Sequence, residues 1–312
     1  LAPLAQPMEI GGRRLFFDAS VGVAVHPRDG DHPDTLLDRA ETAEPATAPG
    51  GTVAFYSAEN SAARGRRVRL LQDLRQALER GELSLAYQPQ LALAGEGLVG
   101  FEALLRWYHA ELGQVSGLIL PIGSWVLREA VRQLTSWREE GLEVPRVAVN
   151  LSPRQFEDPG LVDGVYAVLQ EACLPHGSLE LEVTESAALH DPERAIALMG
   201  RLRQLGVVLA LDDFGTGYSN LSQLKRLPVD VIKIDQLFVR QIVRDPGDAA
   251  IVRAVVALAH GFGLKVVAEG VEAQAQVIKL AQLGCDICQG YHYGAPMAAN
   301  AVAGWMMERG FA

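Results

Sequence analysis

Eight mostly apolar segments of this sequence close on polar side chains: Gln88, Glu102, Asn150, Glu182, Asp212 with Asp213, Lys233 with Asp235, Glu269 and Gln289. A buried carboxylate without a partner is costly, or it neutralises through a pKa shift. Several of them converging on one mouth require cations. The donors are oxygens, and the seven histidines are scattered without a ligand pattern. That set suits one or two hard divalent ions, Mg²⁺ or Mn²⁺. Such ions present a positive field to a phosphate ligand. Asp212-Asp213 is the sharpest feature. Adjacent side chains on a strand point to opposite faces, so both reach one site only where the strand ends and the backbone turns. Phe214-Gly215-Thr216-Gly217-Tyr218 offers that turn. Lys233 lies among Val and Ile, where a lysine needs a partner. A salt bridge to Asp235 and a place beside the carboxylates are both expected for it.

These positions belong to a repeating pattern. Candidate strands are 83–89, 99–105, 146–151, 179–184, 207–212, 231–235, 265–269 and 287–291. Helical patterns fall between most of them, at 122–139, 161–172, 192–205, 219–226, 249–261 and 273–283. Alternating strands and helices imply a parallel sheet with right-handed crossovers. Eight strands in this length imply a closed (β/α)₈, TIM-like barrel, which carries its site at the C-terminal strand ends. No long helix separates the first two strands, so that pair is expected to be antiparallel.

The preceding residues read differently. Leu15–Val25 and Thr52–Tyr56 suggest strands, and Asp34–Thr42 a short helix. So few elements cannot bury a core of their own, so residues 1–57 read as the tail of a small α+β domain. Val68, Leu71, Leu74 and Leu78 give an apolar stripe over Ala62–Arg80, capped at Gly81. Residues 58–81 are therefore expected to be a connector helix, and residues 82–312 the main domain. The chain has 312 residues and a formal net charge of −10, which argues against duplex nucleic acid as a partner. No apolar run reaches membrane-spanning length and Leu1–Arg14 lacks a signal-peptide layout, so a cytoplasmic location is expected, within a parent protein that could itself be anchored. Cys173, Cys285 and Cys288 are too sparse for a disulfide framework. Cys285 and Cys288 form a C-x-x-C that reads best as two small side chains on a buried strand.

Several motifs resemble those of the EAL-domain cyclic di-GMP phosphodiesterases. They are Tyr87-Gln88-Pro89, Glu102-Ala103-Leu104-Leu105-Arg106-Trp107, Val149-Asn150-Leu151-Ser152, Glu182-Val183-Thr184-Glu185-Ser186, Asp212-Asp213-Phe214-Gly215-Thr216-Gly217-Tyr218-Ser219, Lys233-Ile234-Asp235, Glu269-Gly270-Val271-Glu272 and Gln289-Gly290-Tyr291. They follow in the family's order from about Leu70 to Pro296. Ala19–Ala24 and Leu36–Ala43 are similar to the last part of a GGDEF domain, whose signature loop is absent here. The resemblance implies Mg²⁺- or Mn²⁺-dependent hydrolysis of cyclic di-GMP to linear 5′-pGpG. It implies Glu102, Asn150, Glu182 and Asp212 on one metal, and Asp212 with Asp213 on a second. Glu269 would be the general base and Lys233 would touch the same water, with Asp235 and Glu272 in support. Gln88, Arg106 and Gln289 would bind substrate, Arg106 suiting a phosphate through its fixed fork of donors. Thr184 and Glu185 would hold the loop after Asp213. Two ions would lower the pKa of a bridging water and neutralise phosphoryl charge. A homodimer and upstream sensor domains are also implied.

The match departs from the family after Ser116, where a short Pro- and Phe-containing helix is missing. It departs again at Thr42-Ala43-Glu44-Pro45. Loss of rim after Ser116 favours an alternative of another class, a receptor that binds cyclic di-GMP without cleaving it. The intact Glu102 and Asp212-Asp213 favour the enzyme.

Overall fold

The computed structural model describes residues 8–10, 13–15, 21–43, 53–58, 73, 77–95, 97–109, 113–115, 122–215 and 221–311. The chain divides into two compact units, Leu1–Arg80 and Gly81–Ala312.

In the first unit, β1 (Met8–Ile10) pairs antiparallel with β2 (Arg13–Leu15). β3 (Val21–Val23) pairs parallel with β4 (Val53–Phe55). Helix α1 (Pro33–Thr42) lies between them in the chain. It starts on Pro33, whose fixed φ suits a first helical turn. Of the expected strand at 15–25, Leu15 ends β2 and Val21–Val23 form β3, and residues 16–20 lie outside the described ones. Most of the expected connector helix lies outside them too.

The second unit is the barrel. Its strands are β5 (Leu83–Ala92), β6 (Leu98–His109), β8 (Val147–Leu151), β9 (Leu179–Thr184), β10 (Val208–Phe214), β11 (Val231–Ile234), β12 (Lys265–Ala268) and β13 (Ile287–Gln289). Two short strands, β7 (Gly113–Val115) and β14 (Met297–Ala298), extend the edges. Pairing runs β5-β13-β12-β11-β10-β9-β8-β6 and closes by β6 on β5. β5 is antiparallel to both neighbours, and the six remaining pairings in the ring are parallel. The helices are α2 (Gly123–Glu139), α3 (Pro153–Phe156), α4 (Leu161–Ala172), α5 (Glu185–His190), α6 (Pro192–Gln204), α7 (Leu221–Leu224), α8 (Gln236–Arg240), α9 (Pro246–Gly261), α10 (Gln274–Gln282) and α11 (Ala299–Glu308).

Strand periodicity explains the layers. On β8 and β9, Val147, Val149, Leu151, Leu179, Leu181 and Val183 belong to the main core shared with the helices. Their neighbours Ala148, Asn150, Glu180 and Glu182 alternate with them and face the barrel interior. A second, small cluster of Ala210, Val231, Val267 and Ile287 fills part of that interior. Gly100 on β6 lets the next strand approach closely: a Cβ there would lie 2.5 Å from the Arg146 carbonyl oxygen. Local signals start the helices. Ser152 and Gln155 form a capping box at α3, and the carboxylates of Asp191 and Asp245, just ahead of α6 and α9, accept from the first-turn N–H groups of Arg194 and Gly247.

Two expectations need correction. Gln88 and Glu102 do not stand at strand ends. β6 runs on to His109, and β5 runs opposite to the others, so these two residues face each other in mid-strand. Their depth in the barrel still brings them to the site. The reversed direction of β5 is why reading its C-terminal end as part of the mouth fails.

Candidate active site

The barrel mouth brings together most of the expected residues around one ammonium. Lys233 is 1% exposed. Its Nζ donates to Glu182 Oε2 at 2.6 Å and lies 2.6 Å from Glu269 Oε1. Glu102 Oε2 and Asp212 Oδ1 are each 3.6 Å away. No ion pair joins Lys233 to Asp235 among the described residues. The strand ends at Ile234, and the Asp235 carboxylate turns to accept from Leu237 N at 2.7 Å. The expected Lys233–Asp235 bridge is replaced by a four-carboxylate shell.

An amide chain forms the adjoining wall. Asn150 Nδ2 donates to Glu102 Oε1 at 2.6 Å. Gln289 Nε2 donates to Glu102 Oε2 at 2.5 Å and to Gln88 Oε1 at 3.1 Å. Gln90 Nε2 donates to Gln289 Oε1 at 2.9 Å. Gln90 is not among the residues expected from the sequence, because the expected strand ends at Pro89. Its period-2 relation to Gln88 was the available signal.

Charge balance sets the protonation states. Burial opposes the ionised form of Glu102, but the Lys233 ammonium and the hydrogen bonds from Gln289 and Asn150 outweigh it and lower its pKa. Burial, then Glu102, push Glu182 well above the usual carboxylate value. Burial also lifts Glu269, to about 7, against the pull of Lys233. For Lys233 burial is outweighed by the surrounding carboxylates, so its pKa rises and it stays charged. Burial, then Asp212 and Asp235, raise Asp213.

Asp212 and Asp213 differ in placement. The β10–β11 register shifts between Leu211 and Phe214, and Asp213 has φ +57. A bulge with a left-handed residue turns consecutive carboxylates, while the strand continues to Phe214. Behind it, Glu185 Oε2 accepts from Gly215 N at 3.1 Å. Thr184 instead shares a hydroxyl contact with Ser186 at 3.3 Å. Residues 216–220 lie outside the described ones, as do 116–121, where the rim departs from the family pattern.

A cavity of about 470 Å³ opens at this mouth, lined by Gln88, Glu102, Asn150, Asp212, Glu269 and Gln289 together with Glu272. Gln236, Arg240 and Tyr291 also line it and had no role assigned from sequence. Arg106 is half-buried further along β6, where its Nη1 donates to Leu105 O. Cys285 and Cys288 are buried away from the mouth, and burial pushes the Cys285 thiol up to about 12, so the pair reads as packing.

The donor set fits a divalent cation. Glu182 Oε1 is buried without a hydrogen-bond partner. Asn150 spends its amide nitrogen on Glu102, which leaves its oxygen for a ligand. Four carboxylates against one ammonium leave excess negative charge. As they stand, no three acidic, histidine or cysteine groups among the described residues are grouped at ion-holding spacing, and the Lys233 ammonium lies between the carboxylates.

The profile of the family described as the EAL domain matches residues 71–296. The chain belongs to the EAL-domain family. This EAL chain is 41% identical over 310 residues to the bifunctional diguanylate cyclase/cyclic di-GMP phosphodiesterase MucR of Pseudomonas aeruginosa, over 95% of this chain and 45% of MucR. It is 38% identical over 318 residues to the cyclic di-GMP phosphodiesterase PdeR of Escherichia coli K12, over 98% of this chain and 48% of PdeR. A solved structure of the PaMucR phosphodiesterase in a c-di-GMP complex superposes with a TM-score of 0.71 and 46% identity, over 75% of this chain and 99% of that one. The chain thus spans about half the length of the curated relatives it matches.

Proposed function

We propose that this EAL chain is a divalent-metal-dependent phosphodiesterase that opens cyclic di-GMP to linear 5′-pGpG. The observation that carries the reading is the shell of Glu102, Glu182, Asp212 and Glu269 around Lys233, with Glu182 Oε1 left unpartnered. The names of MucR and PdeR, and the ligand of the solved relative, supply the substrate.

Glu102, Asn150, Glu182 and Asp212 would hold one ion, and Asp212 with Asp213 a second. Bound Mg²⁺ or Mn²⁺ supplies the positive field that acidifies water and neutralises phosphoryl charge. Glu269, held beside Lys233, takes the proton of the attacking water. Lys233 fixes the Glu269 carboxylate through their 2.6 Å contact. The water oxygen bonds to phosphorus, the P–O3′ bond breaks, O3′ leaves as the alcohol by taking a proton from solvent, and Glu269 returns its proton to solvent. Gln88 and Gln289 orient the ligand through their amides, Arg106 meets it at the rim, and Asp235 and Glu272 support the wall. Residues 1–57 are read as the end of a GGDEF-like domain and residues 58–81 as its connector. The assembly is read as a homodimer under upstream sensors, checked by light scattering on the full parent chain.

The test is incubation with cyclic di-GMP and Mg²⁺ or Mn²⁺, followed by nucleotide separation. The expected product is 5′-pGpG, with most turnover lost in Glu102→Ala and Glu269→Ala. Binding without product assigns the receptor alternative instead.

A further inference from the structure

The opposite end of the barrel carries a second cavity, of about 450 Å³, among the residues that lead into the strands. Arg146 precedes β8, Lys265 opens β12, Arg203 closes α6 and Lys225 lies before β11; all four line it. Lys265 has the strand parity of Val267, and Arg146 that of Ala148, so both belong to the interior-facing rows. Two of the cations are paired. Arg203 Nη2 lies 2.8 Å from Asp230 Oδ1, and Arg146 Nη1 lies 2.5 Å from Glu180 Oε2. Asp230 is itself fixed, because its other oxygen accepts from Leu209 N at 3.1 Å. Lys225 and Lys265 are exposed and have no ion-pair partner among the described residues.

Four cations against Asp230 and Glu180 leave an excess of about two positive charges, in a chain whose net charge is −10. A local excess of the opposite sign to the whole molecule focuses anions. A phosphate monoester carries about −1.5 to −2 at neutral pH, which matches that excess. Guanidinium forks and ammonium groups are its usual donors. The remaining wall is apolar, with Leu224, Leu264 and the part-exposed Phe262. The volume lies within the range of small-ligand sites. We propose that this basal cavity binds a small phosphomonoester whose organic body is apolar or aromatic. Lys225 and Lys265 hold the phosphate, Arg146 and Arg203 set the field, and Phe262 flanks the body. The site is independent of the divalent ions at the other end of the barrel.

Isothermal titration of the whole chain with phenyl phosphate, in EDTA, tests this. EDTA removes the ions that would draw phosphate to the opposite mouth. Saturable binding is expected, and about tenfold or greater weakening, equivalent to about 1.4 kcal/mol, in the double variant Lys225→Gln/Lys265→Gln, which removes both ammonium contacts. Both side chains are exposed, so the variant keeps its fold, checked by thermal unfolding. Glu102→Gln, at the far end, should leave the affinity unchanged. Inorganic phosphate should bind more weakly for want of the apolar wall. No saturable binding, binding untouched by the lysine variant, or binding abolished by Glu102→Gln would each overturn the site. Equal affinity for inorganic phosphate would overturn the ester assignment.

Discussion

Glu269 carries a pH dependence that can be worked out in sign. Its pKa is raised from 4.5 to about 7 in the folded protein. Between those values the folded state holds more protons than the unfolded one. Stability from this group is therefore present at low pH and is lost as pH rises through the window. Thermal unfolding in EDTA should show Tm falling from pH 5 to pH 8, and the fall should shrink in Glu269→Gln. Lys233 makes a second prediction. Lys233→Met removes the ammonium and leaves four acids facing one another. Breaking a buried pair from one side costs about 3–5 kcal/mol. Tm in EDTA should drop by several degrees at pH 8, and less at pH 5, where the acids take protons; an equal loss at both would argue against charge as the cause. At this scale the sequence was informative about identity and less so about geometry. Lys233 and the acids were legible because polar residues in apolar strands need an explanation. The partner of Lys233 was not, because only the folded barrel shows that Asp235 has already turned to cap α8.

Elements decide whether those side chains meet. The alternation Leu179-Glu180-Leu181-Glu182-Val183-Thr184 reads directly as a strand with one apolar face, and β9 has those bounds. The reach of β6 to His109 was not legible, because Leu104-Leu105-Arg106-Trp107-Tyr108 lacks a clear period and the far end of the strand is held by pairing with β5 and β7. The antiparallel first pair was legible, since the short link after Ala92 leaves no room for a crossover. Gly100 tests this closure. In Gly100→Val the new side chain meets backbone at Arg146, which cannot move without parting β6 from β8. Overpacking of this kind costs about 1–3 kcal/mol. A lower Tm is expected, and an unchanged one would mean that the strands part cheaply. Glu185→Ala tests the loop instead. Losing the Gly215 N–H acceptor should lower turnover several-fold with little change in Tm, and the reverse pattern would make Glu185 a packing residue.

Over the whole molecule, the (β/α)₈ class followed from eight strand signals and intervening helices, and the closed ring bears it out. No helix among the described residues is long and apolar enough to cross a membrane. Under the proposed function, divalent ions held by the excess of acid at one mouth would add to the stability of the fold. At one hundred times Kd, a ligand of the folded state adds about 2.7 kcal/mol. Mn²⁺ or Mg²⁺ should raise Tm in the wild type and do so far less in Glu182→Gln, measured by thermal unfolding. The small cluster of Ala210, Val231, Val267 and Ile287 fills part of the interior, with Val267 in register with Lys233 at the acidic mouth and Val231 lining the basal cavity. Acid gathers at one end and cations at the other, so the barrel is polarised along its axis. A dianionic nucleotide drifting toward the metal-free protein meets repulsion at one pole and attraction at the other. Under the proposed function, cation loading would reverse the first of these, and so would set how often the nucleotide arrives as well as what happens to it once there.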